Sequence, residues 1–211
     1  MGLLIFLVIL SLLGYGVFAL LKFAKQQEEK KNQALLLAGF RQNNDPLLRD
    51  RFQKTFGNLG KNMWARALGE NRLWYLLKDN DEGSDAPFFF LEPFAGAKLP
   101  TSETVFGQLP DNAFLRGTLK VVALLSGQKY TLNAPFPYGS FKVLSKNPTW
   151  SAELPKHFWE EFSKHPGMSL SFSGIGVRFE WYNLAPDKSS DLLDHAHIDA
   201  VDRVARAMLS E

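Results

Sequence analysis

The chain has 211 residues, 45% of them apolar and 13% aromatic, with 24 Lys+Arg against 22 Asp+Glu and a formal net charge of +2. That balance excludes a polyanion binder driven by whole-chain charge, an acidic disordered tail and a collagen-like repeat, and it supplies enough large apolar side chains for a folded core. The absence of cysteine excludes a disulfide framework, a thiolate zinc site, a cysteine nucleophile and a lipidated amino-terminal cysteine.

The first element is the run Gly2 to Leu21, twenty residues without a charge. As a helix it is about 30 Å long, the thickness of a bilayer's hydrocarbon core. A secretory signal peptide has a basic start and a shorter apolar stretch, and here the best small-residue site, Val17-Phe18-Ala19, lies inside the run. Residues 1–21 are therefore expected to be an uncleaved transmembrane helix. Lys22, Lys25, Lys30 and Lys31 follow the span and no basic residue precedes it, which puts the carboxy-terminal side in the cytoplasm and the amino terminus outside. Small residues do not recur four apart along the span, and it holds no ionisable group. It reads as an anchor, without a packing motif or an ion path.

Residues 22–43 lack proline and are rich in helix formers, so the helix should continue as a juxtamembrane linker ending near Gly39. Residues 44–211 form the soluble domain. Asn44-Asp45-Pro46 starts a helix whose Leu48, Phe52 and Phe56 share one face and which Gly57 stops. A second short helix is expected from Lys61 to Leu68, terminated by Gly69. Leu73–Leu77 and Pro87–Leu91, on either side of a polar turn at 79–85, read as a hairpin apolar on both faces, which requires a cover on each side. Asp111 to Ser126 reads as helix, with strand an open alternative around Lys120-Val121-Val122. Lys129–Asn133 and Phe141–Leu144 read as short strands around a turn at 135–139, and Leu154–Lys164 as a helix closed by His165-Pro166-Gly167. Ser169–Phe172 against Val177–Trp181 is the clearest hairpin. Ser190–Ser210 is an amphipathic helix with Leu193, His197, Ala200, Val201, Val204 and Met208 on one face. Asp191, His195, Asp199, Asp202 and Arg206 share the other. The fold class is thus α+β: one amino-terminal transmembrane helix, then a single domain with a mixed or antiparallel sheet of hairpins and a carboxy-terminal amphipathic helix.

Few residues suggest chemistry. His195 could join Asp191 and Asp199 as a metal-ligating stripe, but i,i+4 pairing of Asp199 with Arg203 and Asp202 with Arg206 explains the same pattern, with His197 half-buried at the apolar margin. No metal and no cofactor is expected. His157 and His165 flank Glu161 at four-residue spacings, which suits a surface ion pair better than a catalytic dyad without a visible nucleophile. Gly57-Asn-Leu-Gly60-Lys61 has the wrong spacing for a phosphate loop, and neither G-x-S-x-G nor H-E-x-x-H occurs.

Charge is unevenly placed. Up to Lys78 there are 12 Lys+Arg and 5 Asp+Glu; from Asp79 onward there are 12 and 17. The basic part adjoins the bilayer, so Lys22, Lys25, Lys30 and Lys31 are expected at the membrane surface, with Trp64, Trp74 and Tyr75 either at headgroup level or in the core. The lipid bilayer and a protein are the expected partners, and nucleic acid is not. The layout resembles that of single-span proteins of the bacterial inner membrane, a likeness of architecture with no diagnostic residues and no activity attached. The expected function is a membrane-tethered protein-interaction module, with contact through the face carrying Asp199 and Asp202 or through the edge of the 169–181 hairpin. The alternatives are a membrane-anchored hydrolase using His157, Glu161 or His195, and a domain facing the periplasm.

Overall fold

The computed structural model describes residues 2–60, 62–78, 86–93, 104–106, 120–121, 124–125, 129–136, 139–145, 154–181 and 195–209, with side chains described from Leu12 onward in the first helix. The fold is α+β. In chain order the named elements are α1 (Gly2–Leu37), β1 (Arg41–Gln42), α2 (Pro46–Phe56), β2 (Trp64–Leu68), β3 (Asn71–Lys78), β4 (Ala86–Glu92), β5 (Thr104–Phe106), β6 (Lys129–Phe136), β7 (Gly139–Ser145), α3 (Lys156–Ser163), β8 (Met168–Ser173), β9 (Gly176–Trp181) and α4 (His195–Leu209). The strands form one antiparallel sheet in the order β1-β2-β3-β4-β9-β8-β5-β7-β6.

Helix α1 runs without interruption from the apolar stretch into the linker, as the lack of proline requires. It ends in a Schellman motif. The Phe40 amide donates to the Leu35 carbonyl (2.9 Å), the Gly39 amide donates to the Leu36 carbonyl (3.0 Å), and Gly39 takes the positive φ of 83° that the motif demands. The apolar contact that accompanies such caps falls on Leu35 and Phe40, both fully buried, so the end of the helix is also its attachment to the core.

Helix α2 starts and stops as the sequence indicates. The Asp45 carboxylate accepts from the Leu47 amide (2.9 Å), Pro46 takes the first turn, and Gly57 at φ 84° closes the helix. The helix expected over Lys61–Leu68 is instead strand β2, paired with β3 from Trp64↔Tyr75 to Leu68↔Asn71 around Gly69 at φ 61°. Ala-Arg-Ala-Leu has helical propensity, but alternation puts Trp64, Arg66 and Leu68 on the face that already carries Leu73 and Tyr75, and pairing with that apolar strand prevails.

The β3–β4 hairpin is covered on both faces. On one face Leu73, Tyr75, Phe89 and Leu91 join Val177, Phe179 and Leu170 beneath α3, α4 and the end of α1. On the other, Trp74, Leu76, Phe88 and Phe90 receive α2. Phe52 meets Trp74 and Phe90 edge-on at 5.0 and 5.7 Å, and Phe56 meets Phe88 and Phe90 at 5.2 and 5.0 Å.

The 169–181 hairpin forms as β8 and β9 but lies inside the sheet, between β4 and β5, so it offers no free edge for docking. Strands β6 and β7 are longer than the expected 129–133 and 141–144. Of the expected helix at 111–126, Lys120–Val121 and Leu124–Leu125 are helical and the rest lies outside the described residues, as do the 79–85 turn and the start of the carboxy-terminal helix at 190–194. Helix α4 buries Ile198 and Ala205 beside Ala200, Val201, Val204 and Met208, an apolar stripe wider than the one assigned from sequence. Among the residues with described side chains, no helix is long and apolar enough to cross a membrane.

Candidate functional site

Two regions carry the residues that the sequence singles out: α1 with its junction to the rest of the fold, and the ends of α3 and α4.

Along α1, Leu12, Leu13, Tyr15, Val17, Phe18, Leu20, Leu21 and Phe23 are 57–72% exposed, and at 100° per residue they point around the whole helix. The domain covers none of them. Its first buried contacts on α1 are Ala34 and Leu35. Of the expected membrane-surface lysines, Lys22, Lys25 and Lys30 are exposed and Lys31 is half-buried, and Lys25 lies 4.0 Å from Glu29 as an exposed i,i+4 pair. Trp64, Trp74 and Tyr75 are buried in the two cores, which overturns their placement at headgroup level and gives them to packing.

At the junction, Arg66 of β2 donates through Nη1 to the Ala38 carbonyl (2.9 Å) and through Nη2 to the Asp202 carboxylate, while its guanidinium lies 5.1 Å from the centre of the Phe40 ring. Asp202 also accepts from Arg206 Nε (3.0 Å), the i,i+4 pair expected from the sequence. Asp202 thus belongs to a clamp joining α1, β2 and α4. Asp202 is half-buried there, and of the two aspartates Asp199 is the exposed one. The Arg66 partnership spans 136 residues, which no local spacing reveals.

At the end of α3, Glu161 accepts from Lys164 Nζ (2.8 Å) and lies 3.3 Å from His165 Nε2. The structure therefore brings the Glu161–His165 pair together. The Lys164 hydrogen bond, helped by His165, holds the Glu161 carboxyl below its ordinary value against the opposing effect of partial burial, and Glu161 in turn raises Lys164. A carboxylate driven further toward its anionic form is a poorer proton acceptor near neutral pH, so the cluster acts as a charge cap on the helix end. His157 is exposed on the first turn of α3, and His195 is exposed at the first residue of α4. His197 packs its ring edge-on against Trp181 at 4.8 Å, the half-buried role expected of it. Among the described residues, no three His, Asp or Glu side chains are grouped to hold a metal ion; Asp191, one of the proposed stripe, lies outside them.

Sequence reading missed two further charge clusters. Glu92 is held between Arg51 and the Trp74 indole Nε1 (2.8 Å to Glu92), and Arg178 pairs with Glu180 while lying 4.2 Å from the centre of the Phe88 ring. Both depend on strand register: Glu92 pairs with Arg72, and Arg178 with Phe90, across β-ladders. No protein-family model, curated protein or solved structure matches the chain.

Proposed function

We propose that the chain is a single-pass membrane protein, anchored through residues 1–21, whose α+β domain lies on the cytoplasmic side and serves as a protein-interaction module. The observation that supports this is the all-round exposure of apolar side chains on α1. A helix apolar on every side needs an apolar surrounding, and moving these eight side chains from water into lipid is worth on the order of 10 kcal/mol. The uncharged run supplies the length for a full crossing, and the lysines that follow it supply the orientation. The interaction reading draws on the titratable candidates, since Asp202, Glu161 and His197 each have a packing or pairing role that accounts for them.

The lack of cysteine makes the test direct. A single thiol at Asp199→Cys, on the exposed face of α4, should stay with membranes through alkaline extraction. It should react with an impermeant maleimide only after cells are opened. Release by alkali would sink the anchor, and labelling in intact cells would place the domain on the opposite side. The same thiol, carrying a photocrosslinker, should then give a discrete adduct with a protein at the cytoplasmic face.

A further inference from the structure

Resting on the membrane anchorage and the interaction role proposed above, we infer that the partner of the outer face of α4 is the same face on a second copy of this chain. The two helices pack antiparallel across a two-fold axis that passes between positions 202 and 203. At 100° per residue, His195, Ala196, Asp199, Asp202, Arg203 and Arg206 fall within one arc of about 120°. That arc lies opposite Ala200, Val201, Val204 and Met208, which are buried. Of the six, Asp202 is half-buried and the others are exposed.

The charges on this face are ordered. The two acids come first along the helix and the two arginines after them. Asp202 already has two partners in its own chain, Arg66 and Arg206. Asp199 and Arg203 are spaced for an i,i+4 pair, yet among the described residues neither has an ion pair. Arg203 lies instead near Lys164 at the end of α3, where the two like charges oppose each other.

A two-fold axis perpendicular to a helix reverses its direction. About the midpoint of 202 and 203, Asp199 of one copy comes level with Arg206 of the other, and Asp202 with Arg203, and symmetry makes each pair twice. The two Arg203 side chains flank the axis, each within one helical turn of Asp199 on the other copy. A parallel arrangement in register would instead set Asp199 against Asp199 and Arg206 against Arg206. The face is therefore complementary to itself in one direction only. A polyanion or an anionic lipid surface attracts its arginines but is repelled by Asp199, so neither fits as well.

Size explains why the contact belongs to an anchored chain. Helix α4 has 15 residues and is about 22 Å long. One face of it buries less than the roughly 800 Å² per partner of a standard interface. Its exposed ion pairs add little by themselves. Two copies held in the same bilayer meet at a high effective concentration and in a restricted orientation, which compensates for the small area.

The test uses the full chain in phosphatidylcholine vesicles, with a single thiol at Arg203→Cys or His195→Cys and a short bis-maleimide. Cross-linking at 203, beside the axis, should exceed that at 195 by about tenfold, because the two 195 positions lie about 22 Å apart. Asp199→Arg or Arg206→Asp, each added to the Arg203→Cys chain and each leaving thermal unfolding unchanged, should abolish the cross-link when present alone. Mixing these two chains should restore it, since the mixture again sets opposite charges at both Asp199–Arg206 contacts; a merely structural loss would not be rescued in this way. Equal cross-linking at 195 and 203, a cross-link that survives either charge variant, or no recovery on mixing overturns the inference. With the chain retained through alkaline extraction, each of those failures leaves the anchor standing; release by alkali overturns the anchor itself.

Discussion

At Gly176, the first residue of β9, a Cβ would lie 2.2 Å from the Leu91 carbonyl oxygen and 2.5 Å from Cζ of Phe90, and φ is 155°. The neighbouring strand β4 is held between β3 and β9, so its backbone cannot retreat without breaking a ladder on one side or the other. Gly176→Ala should cost about 3 kcal/mol or more, since both backbone and ring must move. Gly174 sits two residues earlier in the same turn with nothing within 4 Å of its would-be Cβ, so Gly174→Ala should change stability by less than about 0.5 kcal/mol. Urea unfolding of the two variants checks the pair. Equal midpoints would mean that β4 and β9 do not approach as closely as described.

At the scale of elements, the sequence was most legible where the signal is local. The Asn-Asp-Pro start and Gly57 stop of α2, the two-faced apolar pattern of Leu73–Leu77, and the alternation on either side of Gly174 each act within a few residues. It failed at β2, where neighbouring residues favour helix and only pairing with β3 decides otherwise. It also failed to show that the 169–181 hairpin lies inside the sheet, because strand order is fixed by contacts between distant segments. Of the candidate site, the Glu161–His165 and Asp202–Arg206 spacings were legible and the Arg66 clamp was not. The end of α1 is a case where local signal and packing agree, and it yields a prediction. Leu35 is fully buried and Leu37 is 78% exposed, two residues away on the same terminal turn. Leu35→Ala should destabilise the domain by about 2–4 kcal/mol and Leu37→Ala by less than about 0.5 kcal/mol. Denaturation of the full chain in detergent micelles distinguishes them. A similar small loss at both positions would mean that the end of α1 does not enter the core.

For the whole molecule, the question is what makes α1 and the sheet domain one mechanical unit. Leu35 and Phe40 provide the apolar part of the joint, and Arg66 provides the polar part by holding the Ala38 carbonyl of the α1 terminus and the Asp202 carboxylate of α4 at once. Arg66 and Asp202 side chains are 17% and 22% exposed, so neither charge is well hydrated and each depends on the other. Removing Arg66 leaves the partly buried Asp202 with only the exposed Arg206 beside it, and removing Asp202 leaves the Arg66 charge with only the Ala38 carbonyl, so each loss costs more than the pair itself contributes. Arg66→Ala and Asp202→Ala should each lower stability by about 1–3 kcal/mol, and the double variant should lose clearly less than the sum, with a coupling of about 1–2 kcal/mol. Lys at position 66 should not restore the loss, because a single ammonium cannot span both acceptors in the fork geometry of the guanidinium. Hydrogen exchange in the full chain adds the structural readout: Arg66→Ala should speed exchange in α4 and in the last turn of α1 together, although 136 residues separate Arg66 from Asp202. Additive losses, or faster exchange confined to one helix, would show that α1 and α4 respond independently and that the joint is apolar alone.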